Sequence, residues 1–567
     1  MVAPLHIGLD GVSFSYPDGH RVLTDISFAV PSGAVTGLIG ENGSGKSTLL
    51  SLIAGELSPT AGTIITPPIT GFIAQETSLP FSSPARMLID DAVDELRGVE
   101  RAIEELSLKM ADASQGANSA SLSEEFDLAL ARAEHSGVWE LDARVATVLA
   151  GLGLAGVDLD TPLGEMSGGQ RRRFALATLL LRPVDAMVLD EPTNHLDDEA
   201  VDFLVSEVTE FKGPVLIASH DRYFLDTACD SLVDLDLGLG SEGGYGEETK
   251  QGARFTGDFT DYLAAREERR RRWATDYAAQ EHERTRLEKA AGATEDDVFH
   301  SSESKSDTRA SAKFFADRAA KTIGARRKAA ENRLETLKRY EIPAPPKRLS
   351  FQGLPPHTAT SLGVPAIVAK DLEVPDRLAP ISFKVQPGQQ LLVEGPNGSG
   401  KSTLLRIIDG ELTTYNGDIL IPEELTIARL EQDDSWNDLS LTPNDVFEAH
   451  APAGAPTLVE MGLMTDEQAA KRLDDLSLGQ RRRVSLGIIL ASPPDLLLLD
   501  EPTNHLSLAL AEELENALDD FAGTVVITSH DRWVRHRWRE RIAKKDRRAT
   551  ILTLSTLWTE EVWRDDE

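Results

Sequence analysis

GENGSGKST (Gly40–Thr48) and GPNGSGKST (Gly395–Thr403) are one nine-residue string with a single change, set 355 positions apart. Each contains GxxxxGKS, the loop whose glycines let successive backbone N–H groups curl round a phosphate at the positive end of a helix. The context is right in both copies. AVTGLI and QQLLVEG read as buried strands upstream, and STLLSLIAG and STLLRIIDG as helices downstream. A strand, a glycine-rich turn and a helix, present twice, predict an α/β protein built from two P-loop nucleotide-binding domains.

Three further strings recur in the same order. LDEPTNHL stands at Leu189–Leu196 and Leu499–Leu506, MSGGQRRR at Met166–Arg173 returns as LSLGQRRR at Leu476–Arg483, and ASHDR at Ala218–Arg222 returns as TSHDR at Thr528–Arg532. AMVLD and LLLLD are apolar runs of the kind a doubly buried strand shows, each ending in an acid at the edge where α/β sheets place ligands. On this reading Gly40, Asn42, Gly43, Gly45, Lys46, Ser47 and Thr48 form one ATP loop, and Gly395, Asn397, Gly398, Gly400, Lys401, Ser402 and Thr403 the other. Ser47 with Asp190, and Ser402 with Asp500, are the expected Mg²⁺ partners. Glu191 and Glu501 stand where a carboxylate polarises the attacking water, and His220 and His530 where a side chain reaches the γ-phosphate. Ser167, Gly168, Gly169 and Gln170, like Ser477, Gly479 and Gln480, open helices and make a second anion site. One nucleotide does not need two such sites in one half. Head-to-tail pairing is therefore expected, each ATP lying between the loop of one half and the SxGQ of the other.

These strings resemble the ATP-binding cassette superfamily over nearly the whole chain, and EPTNHL resembles the ABC-F branch. The resemblance implies two tandem cassettes joined by a long α-helical hairpin linker, with boundaries at 1–255, 256–345 and 346–567 and a helical insertion at about 84–160. It implies an ATP hydrolase, using ATP and Mg²⁺ and converting ATP and water to ADP and phosphate. It places Tyr16 on adenine and adds Gln75 and Gln432 to the ATP and Mg²⁺ sets. It implies a cytoplasmic monomer whose cassettes pair intramolecularly. The closed, ATP-bound form would sit at the ribosomal E site, with rRNA and P-site tRNA as partners and the linker directed toward the peptidyl-transferase centre. The segment KFFADRAAKTIGARRKAAENRLETL is similar to the antibiotic-resistance members of high-GC Gram-positive bacteria. An exporter's ATPase subunit and a nucleic-acid repair ATPase are the competing readings.

The bulk numbers agree. At 567 residues the chain exceeds one core, no run approaches 18 apolar residues, the N-terminus lacks a secretory pattern, and a lone Cys229 precludes an internal disulfide and suits a reducing compartment. The net charge of −35 hides a contrast: Arg254–Arg348 holds 22 basic against 17 acidic residues, leaving −40 on the rest. Phe259 to about Ala290 and about Arg309 to Tyr340 read as helices, and PAPP ends the second. Arg269, Arg270, Arg271, Arg272, Arg326, Arg327 and Lys328 on them are the candidate RNA contacts. The basic run Arg535–Arg548 offers a second RNA face or a plain surface with even weight.

The halves also differ. Aligning YPDG with VPDR sets Val374 against Tyr16, Leu478 replaces Gly168, and Ser507 follows the second NHL where Asp197 follows the first. Unequal ATP sites are expected.

Overall fold

The computed structural model describes residues 6–17, 19, 21–40, 43–74, 82–112, 119–136, 138–236, 252–292, 309–345, 363–396, 398–431, 436, 438–503, 506 and 508–555. Asn42, Gln75, Asn397, Gln432 and Ser507 lie outside them, as does the segment joining the two linker helices.

In the first half, β1 (His6–Ser15), β2 (Arg21–Pro31) and β4 (Ala61–Ile65) form an antiparallel sheet in the order β2-β1-β4. A second sheet runs β5-β6-β7-β3-β8-β9, built from β3 (Val35–Ile39), β5 (Thr70–Ile73), β6 (Ala186–Asp190), β7 (Val215–Ala218), β8 (Ser231–Asp234) and β9 (Ala253–Thr256). The pairs from β5 to β8 are parallel. β3 and β6 are buried at every position, which is why they read as continuous apolar runs rather than alternating ones. The second half repeats the plan. β10 (Ile367–Val374), β11 (Leu378–Val385) and β13 (Asn416–Leu420) form the antiparallel sheet, and β12 (Gln390–Glu394), β14 (Ile427–Leu430), β15 (Leu496–Asp500), β16 (Thr524–Thr528) and β17 (Ala549–Thr553) the parallel one, in the order β14-β15-β16-β12-β17. In both halves the P-loop strand lies beside the strand leading to SHDR, with the DE strand next to that. One parallel-sheet edge therefore gathers all three motifs.

The core divides accordingly, with Leu38, Leu49 and Val188 in a cluster of the first half and Leu391, Leu404 and Leu498 in a cluster of the second. Cys229 is buried, and burial pushes its thiol pKa up. The extra sequence of the first half forms helices Ala85–Asp112 and Ser119–Ser136, joined by a small cluster of Ile103, Ala133 and Val138.

The chain divides into two compact units. One holds both cassette regions (Met1–Leu235, Arg254–Thr260, Lys347–Glu567), and the other holds Asp236–Ala253 and Asp261–Pro346. The helices Phe259–Gly292 (34 residues) and Arg309–Arg339 (31 residues) account for most of the second unit and match the helical segments expected from sequence. At about 1.5 Å per residue each runs some 45–50 Å. No helix among the described residues is long and apolar enough to cross a membrane.

Candidate functional site

Each P-loop is fixed by its last glycine. Gly45 (φ 98°) and Gly400 (φ 96°) cap their helices in the left-handed region. A Cβ on Gly45 would lie 2.6 Å from Val22 and 2.8 Å from Leu23, so no side chain fits. The lysines fold back along their own loops. Lys46 Nζ donates to Gly40 O at 2.7 Å, and Lys401 Nζ donates to Gly395 O at 2.9 Å and Pro396 O at 3.1 Å. Ser44 Oγ and Ser399 Oγ are buried inside the loops without a partner. A glycine turn leading into a helix, a buried ammonium and an orphaned hydroxyl fit a polyphosphate.

Next along the sheet edge stand the paired acids. Asp190 and Glu191, like Asp500 and Glu501, are buried. Both glutamates adopt left-handed backbone, at φ 50° and 48°, a strained conformation for a residue with a side chain. The surroundings hold it there. Glu191 N–H donates to Ala218 O at 2.8 Å, and Arg172, on the SGGQ helix Gly168–Leu181, donates to the carbonyls of Asp190 (2.9 Å) and Glu191 (2.7 Å). In the second half Arg482, on helix Leu478–Ala491, reaches Asp500 O at 3.2 Å and Glu501 O at 3.5 Å. Arg173 holds the NHL turn through His195 O, at 3.0 Å and 2.8 Å.

The histidines complete the arrangement. His220 N–H donates to Glu191 Oε2 at 3.2 Å and its Nε2 lies 3.6 Å from Oε1; in the second half the values are 2.9 Å and 3.4 Å for His530 and Glu501. Oε1 of each glutamate is buried with no hydrogen-bond partner, leaving a lone pair for a water's proton. Burial raises Glu191 to about 7 and Glu501 to about 6, against their histidine N–H bonds. Burial, with Lys46 beside it, lowers His220 to about 4, so this imidazole is neutral at pH 7. Asp190 is raised by burial and pulled back by hydrogen bonding to Ser47, the pair expected to hold Mg²⁺. A carboxylate beside a serine hydroxyl is a hard-oxygen set of the kind Mg²⁺ takes.

One cleft of about 1130 Å³ collects Tyr16, Gly43, Gly45, Lys46, Ser47, Thr48, Asp190, Glu191 and His220 from the first half, with His530 and Arg532 from the second. The SxGQ residues of both halves lie outside its lining. Their helices nevertheless start alike, with Ser167 and Ser477 each closing a capping box with Gln170 and Gln480. Leu478, 60% exposed, leaves that cap intact.

Tyr16 hydrogen-bonds Thr48 through its hydroxyl at 3.0 Å and meets Phe14 edge to face. The strand register corrects the alignment of its counterpart. Val374 pairs with Leu378 as Phe14 pairs with Leu23, so Val374 matches Phe14. The second turn is five residues shorter, and the YPDG/VPDR match hid that. In the basic run Arg535–Arg548, Arg535 is half-buried against Asp198, Arg537 against Glu515 and Asp519, and Arg541 against Asp519 and Asp546, whereas Arg539, paired with Glu394, and Lys544, Lys545 and Arg547 are exposed. On the linker, Arg271 and Arg272 are exposed beside Glu268, and Arg327 is exposed and paired with Glu331, while Arg269 and Arg270 are half-buried and Arg326 and Lys328 exposed.

The sequence reading missed Arg172 and Arg482. RRR was visible in both copies, but an arginine that binds backbone carbonyls leaves no complementary side chain to find.

A sequence profile for the family described as ABC transporter matches residues 23–194 and 378–504. The tylosin resistance ATP-binding protein TlrC of Streptomyces fradiae is 35% identical over 94% of this chain and 96% of its own. The energy-dependent translational throttle protein EttA of Haemophilus influenzae is 30% identical over 91% and 88%. ABC transporter F family member 5 of Arabidopsis thaliana is 29% identical over 93% and 73%.

Proposed function

Because the chain belongs to the ABC-F family of tandem ATP-binding cassette proteins, we propose that it is an ATPase that acts on the ribosome, protecting it from an antibiotic of the macrolide type. The observation that carries hydrolysis is the buried Oε1 of Glu191 and of Glu501, which accepts no hydrogen bond and stands close to the neutral histidine ring. The ribosomal reading is supported by the two long linker helices, on which Arg326, Arg327 and Lys328 form an exposed basic stretch, and by similarity along most of the chain to a resistance protein and a translational throttle protein. Translation regulation is the second reading, favoured by the throttle protein's similarity.

The chemistry follows from the residues in place. P-loop amides and Lys46 or Lys401 bind the ATP phosphates and offset their charge. Tyr16, at the rim of the first site, stacks the base. Mg²⁺, held by Ser47 and Asp190 or by Ser402 and Asp500 with Gln75 or Gln432, would screen the β- and γ-phosphate oxygens. Glu191 and Glu501 accept the proton of the attacking water, yielding ADP and phosphate. His220 and His530 fix the carboxylates through their backbone N–H groups and present neutral rings to the γ-phosphate. With ATP bound, Ser167–Gln170 and Ser477–Gln480 each close on the nucleotide of the opposite half. The closed molecule binds the E site in the cytoplasm with its linker toward P-site tRNA, and hydrolysis releases it.

The test is sedimentation of the Glu191→Gln/Glu501→Gln variant with ATP and ribosomes through sucrose. Co-migration with ribosomes is expected; a protein left at the top of the gradient rejects the ribosomal reading. Expression that fails to raise the macrolide tolerance of a sensitive host leaves translation regulation as the function.

A further inference from the structure

The string SHDR contributes more to each site than its histidine. In the first half Ser219 Oγ accepts from Asp221 N–H at 3.0 Å, Asp221 Oδ1 caps helix Arg222–Ala228 through Phe224 N–H at 3.1 Å, and Asp221 Oδ2 accepts from Arg532 of the second half at 3.0 Å. In the second half Ser529 Oγ accepts from Asp531 N–H at 3.0 Å, Asp531 Oδ1 caps helix Arg532–Ala543 through Trp533 N–H at 2.9 Å, and Asp531 Oδ2 accepts from Arg222 of the first half at 2.6 Å. The two halves thus exchange arginines. Each aspartate gives one oxygen to its own helix and the other to the opposite cassette. It does so one residue beyond the histidine whose N–H holds the catalytic glutamate.

The exchange is anchored on both sides. Arg222 is 1% exposed, binds Glu515 at 2.5 Å as well as Asp531, and stacks over Trp533. Arg532 also binds Asp198 at 2.7 Å and the carbonyl of Leu196, the last residue of LDEPTNHL, at 3.3 Å. One guanidinium of the second half therefore ties together the two ends of the first half's catalytic edge, the turn after Glu191 and the loop of His220. An arginine's planar fork suits that task, because several donors fix several acceptors in one plane.

We propose that these arginines position catalysis in trans: Arg532 fixes the His220–Glu191 pair of the first site, and Arg222 fixes the His530–Glu501 pair of the second. Turnover at either site then depends on where the opposite cassette stands, through a contact separate from the SxGQ residues. This rests on Glu191 and Glu501 being the hydrolytic carboxylates and is independent of the ribosome.

The experiment measures steady-state ATP turnover of the full chain in the Glu501→Gln background, where only the first site hydrolyses. Arg532→Gln and Asp221→Asn are introduced singly and together; asparagine keeps the helix cap. Each single change is expected to lower kcat about tenfold with KM for ATP moved less than twofold, since a small misplacement of a catalytic group is costly. The pair should be no slower than the slower single variant, because Asp221→Asn weakens only a contact that Arg532→Gln already removes. Arg532→Lys should recover at least threefold over Arg532→Gln. Additive losses, a loss confined to KM, or unchanged turnover overturn the proposal. If the Glu191→Gln/Glu501→Gln variant still hydrolyses ATP, the assignment of the glutamates has failed; if it is inert while Arg532→Gln is fully active, the arginine exchange alone has failed.

Discussion

Glu191 carries two costs at once, a left-handed backbone and a buried carboxyl, and both serve the reaction. The strain aims the side chain back toward His220 and the P-loop, and burial brings its proton affinity to where a base works at neutral pH. A base must be ionised to act, so turnover should rise with pH through the pKa of each glutamate. In the Glu501→Gln background the acid limb of kcat is expected near pH 7, and in the Glu191→Gln background near pH 6. Identical limbs for the two single variants would contradict the difference between their surroundings. At this scale the sequence was most readable where chemistry demands a side chain in a fixed string, as in GKST, DE and SHDR. It was least readable where the partner is a carbonyl or belongs to the other half. Asp221 and Arg532 were present in the repeated ASHDR and TSHDR strings, yet their mutual contact spans 311 positions and has no local pattern. Val374 was set against Tyr16 by the same blindness, since letters can match across a turn of different length.

Helices show the same division between local and distant causes. The starts of Gly168–Leu181 and Leu478–Ala491 are written in the sequence as Ser-x-x-Gln, and both capping boxes form although one helix begins with glycine and the other with leucine. The change at Leu478 therefore alters what the helix end presents, an exposed apolar side chain, and leaves how it is built unchanged. The linker helices were legible from composition and from the proline stop. Their anchoring was not. Trp273 is 1% exposed and donates from Nε1 to Pro343 O at 2.8 Å, while Gln280 bonds Tyr340 O and the Ile342 N–H, each at 2.8 Å. A tryptophan in an arginine-rich stretch gave no hint that it pins the chain where the second helix ends. Trp273→Ala should cost about 3–5 kcal/mol locally, seen as faster amide hydrogen exchange at the bases of the two helices. Unchanged exchange there would show that the ring is not a structural pin.

Across the whole molecule, charge is sorted by location. The chain carries −35, yet the segment holding the linker is basic, and Arg535, Arg537 and Arg541 of the C-terminal basic run are matched to carboxylates of the cassettes. An arginine half-buried against a carboxylate is poorly placed to reach a phosphate, so phosphate binding should depend more on the exposed linker residues Arg326, Arg327 and Lys328. Replacing Arg326, Arg327 and Lys328 together with glutamine is expected to weaken ribosome binding and flatten its salt dependence, by up to about 0.7–0.9 in log–log slope for each phosphate contact removed. Sedimentation between about 50 and 200 mM salt, the range over which such contacts are lost, reads this directly, and an unaltered slope would place the contacts elsewhere. The duplicated architecture was legible from four repeated strings because each half must build the same sheet edge. The joining of those halves was not, because opposite charges recognise each other only after folding.

The single buried thiol, Cys229, has a practical consequence. With its pKa raised it reacts poorly with maleimides, so the native chain provides a nearly silent background for thiol labelling. Donor and acceptor dyes on cysteines introduced at exposed positions, one per cassette, would report on single molecules as a distance trajectory during turnover. No native residue would have to be removed to obtain that record.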